Sequence, residues 1–151
     1  MAHLSLHELI SMQKRSIRWS GFKARSNHAG HLIGVAEVAD GHGITIPGVT
    51  VQIEIKAPVD ASRCLYLFSL MQQVKGQRGV VYQLEVAPAE KRTHNGHSPI
   101  YGPHEHVGRE EEPTPVTSSA VTCNNWKSSL AWFFLRVNVQ AFPIEDPTEP
   151  C

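Results

Sequence analysis

The stretch Val49–Lys56, VTVQIEIK, decides the fold because its apolar and polar residues alternate strictly. Successive side chains of a strand point to opposite sides, so this pattern predicts a half-buried β-strand. The apolar run Arg63–Gln72 follows, with CLYLFSLM at its centre, and predicts a central strand covered on both faces. After a hairpin loop at Lys75–Gly79, the alternation in Val80–Val86 predicts the antiparallel partner of that strand.

The flanking sequence adds two further strands and two helices. The residue pattern predicts two more β-strands, at Ile17–Arg25 and His31–Val38. A capping box opens a short helix from about Ser5 to Arg15, and an asparagine cap precedes a longer apolar-striped helix, Trp126–Val139. We therefore predict an α+β fold, an antiparallel β-meander of four to six strands with the N-terminal helix and the longer C-terminal helix packed on one face.

Length and composition indicate one globular domain over residues 1–151, with a flexible acidic link at about 109–118 and a frayed tail at 143–151. Fourteen basic and fourteen acidic residues cancel, which disfavours tight non-specific binding to nucleic acid. The three cysteines form no CxxC pair, and the odd number argues against a disulfide framework. No run is long enough to span a membrane, so we expect a cytoplasmic protein.

A histidine-rich stretch, Thr93–Glu110 (THNGHSPIYGPHEHVGRE), holds four of the nine histidines and is the predicted chemical centre. Its prolines and glycines exclude a regular helix. On a strand, His104 and His106 would share one face, where two imidazoles can act as general acid and general base in metal-free RNA cleavage. The predicted catalytic residues are His94, His104 and His106. The predicted substrate-binding residues are Arg92, His97, Tyr101 and Arg109.

An alternative interpretation of the same stretch is a metal site. The order His-x-His-x3-Glu in HEHVGRE, residues 104–110, resembles the inner part of the first motif of the cupins, which bind a metal inside a β-barrel. That resemblance implies a divalent transition metal held by His104, His106 and Glu110 in a small-molecule enzyme. The metal-free interpretation needs no cofactor.

The order of elements over roughly residues 49–140 resembles the TumE-type toxins of toxin–antitoxin pairs and related small bacterial and prophage families. The resemblance is carried by Thr93–Gly96, THNG, and by Gly102–His106, GPHEH. In the preceding strand, Gln83 and Glu85 stand where those families have arginine and aspartate. The resemblance implies a toxin-like ribonuclease that uses His94, His104 and His106, with an antitoxin as partner.

A third interpretation is a non-catalytic phage or mobile-element protein that binds a host partner. The neutral overall charge and the acidic segment Glu110–Glu112 fit it. The candidate partners are thus an RNA substrate, an antitoxin or host protein, and a second copy of the chain, with no membrane.

Overall fold

One large antiparallel sheet and two helices make up the molecule. The structure is a computed structural model that describes residues 4–56, 60, 62–94, 99–108 and 112–147. Its helices and strands are α1 (Leu6–Ser11), β1 (Lys14–Ile17), β2 (Lys23–Ala24), β3 (His31–Asp40), β4 (Thr45–Lys56), β5 (Tyr66–Val74), β6 (Gln77–Val86), β7 (Arg92–His94), β8 (Ile100–Tyr101), β9 (His104–Val107), β10 (Thr114–Pro115), α2 (Trp126–Val137) and β11 (Val139–Gln140).

The sheet order is β10-β9-β6-β5-β4-β3-β1-β11, with β2 pairing beside β3, while β7 and β8 form a separate hairpin. The neighbouring strands are antiparallel except β1 and β11, which are parallel. The core of this sheet is the predicted meander β3-β4-β5-β6. The α+β prediction is confirmed, although the strands of the described chain outnumber the four to six predicted.

The core lies between α2 and one face of the sheet. Trp126 and Phe133 of α2 are buried and meet the rings of Tyr66 and Phe68 on β5 at centroid distances of 5.1 to 5.7 Å. Asn125 caps the helix, since its side chain accepts a hydrogen bond from the Ser128 amide at 3.0 Å. The opposite face of the sheet carries the polar side chains of Gln52, Glu54 and Gln83 together with apolar ones such as Leu67.

The first helix is shorter than predicted. The capping box of Ser5 and Glu8 is present, but α1 ends at Ser11 and Lys14 already belongs to β1. The buried Lys14 amine donates hydrogen bonds to the carbonyl oxygens of Leu9, Ile10 and Met12. Because the lysine satisfies carbonyls that the helix end leaves unpaired, the helix can stop there without a glycine.

Two other predicted elements differ in extent. The predicted strand Ile17–Arg25 is divided, because Arg18 has a φ of 57° and breaks the extended backbone between β1 and β2. Helix α2 ends at Val137 rather than Val139, because Asn138 adopts the left-handed conformation and turns the chain into β11.

A disulfide joins Cys64 and Cys123, and the prediction that argued against one is wrong for this pair. The two residues are separated by 59 positions, yet the start of β5 and the segment before α2 bring their Cα atoms to 5.6 Å. Because the two cysteines are far apart in sequence, no local pattern indicated that they lie close together. The bond ties α2 to the strand on which its aromatic residues pack.

Contacts with the rest of the chain occur within both the predicted acidic link and the predicted frayed tail. Within the predicted acidic link, Thr114–Pro115 form β10 against β9. Within the predicted frayed tail, Glu145 accepts a hydrogen bond from the indole of Trp19 at 3.0 Å. None of the helices in the described ranges is long and apolar enough to cross a membrane.

Candidate functional site

The candidate site lies on the face of the sheet that points away from α2. Strand alternation and register place one row of side chains across this face, namely Glu54, Leu67, Glu85 and His104 on β4, β5, β6 and β9. A second row, Gln52, Ser69, Gln83 and His106, runs beside the first. We call this surface the polar face.

Strand β9 presents both histidines to the polar face because the residue between them is anchored on the other side. Glu105 accepts a hydrogen bond from the Tyr82 hydroxyl at 2.6 Å, and its carboxylate lies 3.4 Å from Nε of Arg136 on α2. Side chains alternate along a strand, so Glu105 on the helix side places His104 and His106 together on the polar face. The rings of the two histidines are 5.0 Å apart.

His104 is buried and is held by polar atoms at both ring nitrogens. Its Nδ1 lies 3.1 Å from the Thr93 hydroxyl and 3.3 Å from the Gly102 carbonyl, while Nε2 lies 3.8 Å from a Glu85 carboxylate oxygen. The Thr93 hydroxyl itself donates to the carbonyls of Ile100 and Gly102. A hydrogen on Nδ1 of His104 can therefore be donated to the Thr93 oxygen or to the Gly102 carbonyl.

Glu85 is the carboxylate that faces His104 across the two strands. It pairs across the strands with His104, and His106 is its diagonal neighbour on the same face. Desolvation by burial raises the pKa of Glu85, an effect that the positive charges of His104 and Lys91 partly offset. A carboxylate with a raised pKa beside two imidazoles is a pair of titratable groups suited to general acid–base catalysis.

Access differs between the three groups. The His104 side chain is 2% exposed, whereas the Glu85 side chain is 23% exposed and His106 is half-buried. A substrate on the polar face would therefore touch Glu85 and His106 directly. His104 would act through Glu85, as a positioning residue.

The structure brings only some of the predicted residues together. His104 and His106 meet, as the shared-face prediction required, and Arg92 and Tyr101 are exposed cross-strand partners in the β7–β8 hairpin. The backbone of His94 belongs to the same hairpin, opposite Ile100. His97, Arg109 and Glu110 lie outside the described residues, so their predicted roles stay predictions.

Sequence reasoning missed Glu85 and Thr93 as members of the site. Glu85 carries a signal, because the alternation in Val80–Val86 puts it on the polar side of its strand. No local pattern reveals that β9 pairs with β6 in the register that sets Glu85 opposite His104. Thr93 carries no signal beyond its place near the histidines.

The metal interpretation gains no support from the arrangement. In the part of the chain that the structure describes, no group of three or more histidine, cysteine, aspartate and glutamate side chains is arranged to hold a metal ion. The third ligand of that interpretation, Glu110, is outside this part, and a transition-metal site stays a prediction.

No protein-family model, no curated protein and no solved structure matches this chain. The resemblance to TumE-type toxins accordingly stays a prediction that depends on the two short motifs.

Proposed function

We propose that the protein is a metal-independent ribonuclease that cleaves RNA by general acid–base catalysis on the polar face. The observation that carries the proposal is the grouping of Glu85, His104 and His106, with Nε2 of His104 3.8 Å from the Glu85 carboxylate and the two imidazoles 5.0 Å apart. The same groups fit the toxin-like activity that the sequence resemblance implies.

The proposed reaction is transphosphorylation through the 2′-hydroxyl of RNA. The Glu85 carboxylate takes the proton of that hydroxyl, and the 2′-oxygen forms a bond to phosphorus. The bond from phosphorus to the 5′-oxygen breaks, and the leaving oxygen takes a proton from the His106 imidazolium. The products are a 2′,3′-cyclic phosphate and a 5′-hydroxyl end, and no metal or other cofactor takes part.

The raised pKa of Glu85 suits the role of general base. A carboxylate whose pKa lies nearer to neutrality is a stronger base than an ordinary surface glutamate. The rate should rise with pH as Glu85 loses its proton, at a higher pH than for an ordinary surface glutamate.

The direct test is cleavage of a short RNA by the purified protein in the presence of a chelator. Glu85→Gln and His106→Ala should each lower the rate about 100-fold or more, as expected for loss of a general acid or base. His42→Ala, in the exposed turn after β3, is the matched control and should cleave like the wild type. Mass spectrometry should find the cyclic phosphate.

The wild type failing to cleave RNA would contradict the proposal, and so would full activity in both site variants. The second candidate is the non-catalytic protein that binds a host partner. Growth inhibition that persists in a His104→Ala/His106→Ala double variant would favour this candidate, whereas loss of inhibition would favour catalysis.

The cellular compartment of the protein is also part of the proposal. The sequence predicted a cytoplasmic protein, whereas a disulfide such as Cys64–Cys123 is typical of oxidising environments. Free thiols can be trapped in intact cells before lysis, and the modified cysteines can then be counted. Modification of Cys64 and Cys123 would indicate a reduced, cytoplasmic form, whereas their protection would indicate the oxidised form.

A further inference from the structure

A cavity of about 370 Å³ lies at one end of the polar face. His31 at the start of β3 and Lys56 at the end of β4 form one wall, Arg63 just before β5 forms the second, and the segment from Pro88 to Lys91 after β6 forms the third. Strand ends and short connections thus converge on it from four neighbouring strands.

The charges around the cavity favour an anion. Lys56, Arg63 and Lys91 line it together with the carboxylate of Glu90. Asp60 lies 4.0 Å from Arg63 and adds a second carboxylate near the cavity. The three cationic side chains still outnumber the two carboxylates, Glu90 and Asp60. Lysine and arginine side chains that converge on one cavity are the groups that bind phosphate in proteins.

A buried carboxylate next to the cavity is already neutralised. Glu54 is 3% exposed, and both its oxygens lie 2.7 Å from the guanidinium of Arg25. His31 approaches the same carboxylate with its Nδ1 at 2.8 Å. Because the Arg25 guanidinium compensates this charge, Glu54 does not oppose an anion in the cavity.

The backbone holds the cationic residues in place. The Lys91 amide donates to the Pro88 carbonyl at 3.0 Å, and the Lys91 carbonyl accepts from the Gly102 amide at 2.8 Å. The Lys56 amide donates to the Leu65 carbonyl at 3.1 Å. The backbone of each lysine is therefore held by hydrogen bonds beside the cavity.

The cavity is within reach of a chain that is bound at Glu85. Lys91 is close enough for its charge to lower the pKa of Glu85. Lys56 lies on β4, two strands from Glu85 on β6 and two residues beyond Glu54, the β4 residue in the same row as Glu85. These offsets correspond to about 10 Å across the strands and about 7 Å along them, or roughly 12 Å in all. That separation suits a phosphate near the cleaved one rather than the cleaved phosphate itself.

We infer that this cavity is a phosphate-binding subsite, in which Lys56, Arg63 and Lys91 hold a backbone phosphate of RNA one or two nucleotides from the bond cleaved at Glu85. The inference rests on the proposed function, but binding can be measured without cleavage. It identifies single-stranded RNA as the substrate. It also explains how a chain of zero net charge would bind RNA, since three cationic side chains are grouped at one place.

The test uses a short fluorescein-labelled 2′-O-methyl RNA, which cannot be cleaved because its nucleophile is blocked. Fluorescence anisotropy at several salt concentrations gives its affinity for the wild type, for Lys56→Ala/Lys91→Ala and for Lys127→Ala. The double variant should bind about tenfold more weakly, with a salt slope smaller by about 0.7. Lys127 is exposed on α2, across the sheet, and its variant should bind like the wild type.

Cleavage kinetics separate this inference from the ribonuclease proposal. On cleavable RNA the double variant should raise KM by a similar factor, and its rate profile should move to higher pH because Glu85 loses the Lys91 charge that lowers its pKa. Salt-dependent binding that the double variant loses, without any cleavage by the wild type, would support the subsite and contradict the ribonuclease. Normal cleavage and binding by the double variant would overturn the subsite alone.

Two further outcomes would also overturn the inference. One is no binding of the oligonucleotide by the wild type. The other is binding of inorganic phosphate to the wild type, detected by calorimetry, without any binding of the oligonucleotide, since the cavity would then serve a free anion rather than RNA.

Discussion

Glu85 is the residue at which the proposed catalysis and the stability of the fold oppose each other. Burial raises its pKa, so the folded protein holds the proton to a higher pH than the unfolded chain does. The folded state therefore loses stability as pH rises above the ordinary carboxyl range, because ionising Glu85 costs more in the folded protein.

We predict that Glu85→Gln gains stability relative to the wild type between pH 4 and pH 7, while RNA cleavage falls about 100-fold. Glutamine cannot ionise, so it mimics the protonated form that burial favours. Thermal unfolding of both proteins across this pH range measures the difference. A difference that stays constant with pH would contradict the prediction.

Among the elements of the fold, β9 is a short strand whose two faces make different contacts. His104 and His106 point to the polar face, and Glu105 between them joins β9 to β6 and α2 through Tyr82 and Arg136. Burial and the bond to Glu105 raise the pKa of the Tyr82 hydroxyl, which remains a hydrogen-bond donor to the carboxylate. This contact lies on the side of the sheet opposite the two histidines.

We expect Glu105→Ala to lower the free energy of unfolding by about 1–3 kcal/mol, because the buried Tyr82 hydroxyl loses its acceptor. Activity should fall as well, since the strand that carries both histidines is loosened. Glu105→Gln keeps an acceptor oxygen and should retain most of the stability. Urea unfolding compares the three proteins, and an alanine variant as stable as the wild type would show that the contact does not anchor β9.

Across the whole molecule, the Cys64–Cys123 disulfide connects the sheet to the helix that covers it. The bond closes a loop of 59 positions, and the Tyr66 hydroxyl beside it donates to the Cys123 carbonyl at 3.1 Å. Constraining a loop of that length lowers the entropy of the unfolded chain, an effect typically worth about 2–4 kcal/mol.

We predict that Cys64→Ala/Cys123→Ala unfolds roughly 5 to 15 °C below the wild type in calorimetry. A reductant should lower the Tm of the wild type similarly and leave the double variant unchanged. Cys151→Ser is the control for the third cysteine and should unfold like the wild type. Equal Tm values for the wild type and the double variant would mean that the disulfide does not stabilise the fold.

The sequence by itself determined the central meander and both helices, because alternation in Val49–Lys56, the capping box at Ser5 and the apolar stripe of α2 are local patterns with local causes. It also determined that His104 and His106 share a face, since a strand alternates whatever surrounds it.

Only the tertiary structure decided which groups meet those histidines. The register of β9 on β6 sets Glu85 opposite His104, and the approach of β5 to the segment before α2 pairs Cys64 with Cys123. The cavity at Lys56 and Lys91 likewise joins strand ends that are distant in sequence. These contacts depend on how strands far apart in the chain align, and no pattern within a single strand encodes that alignment.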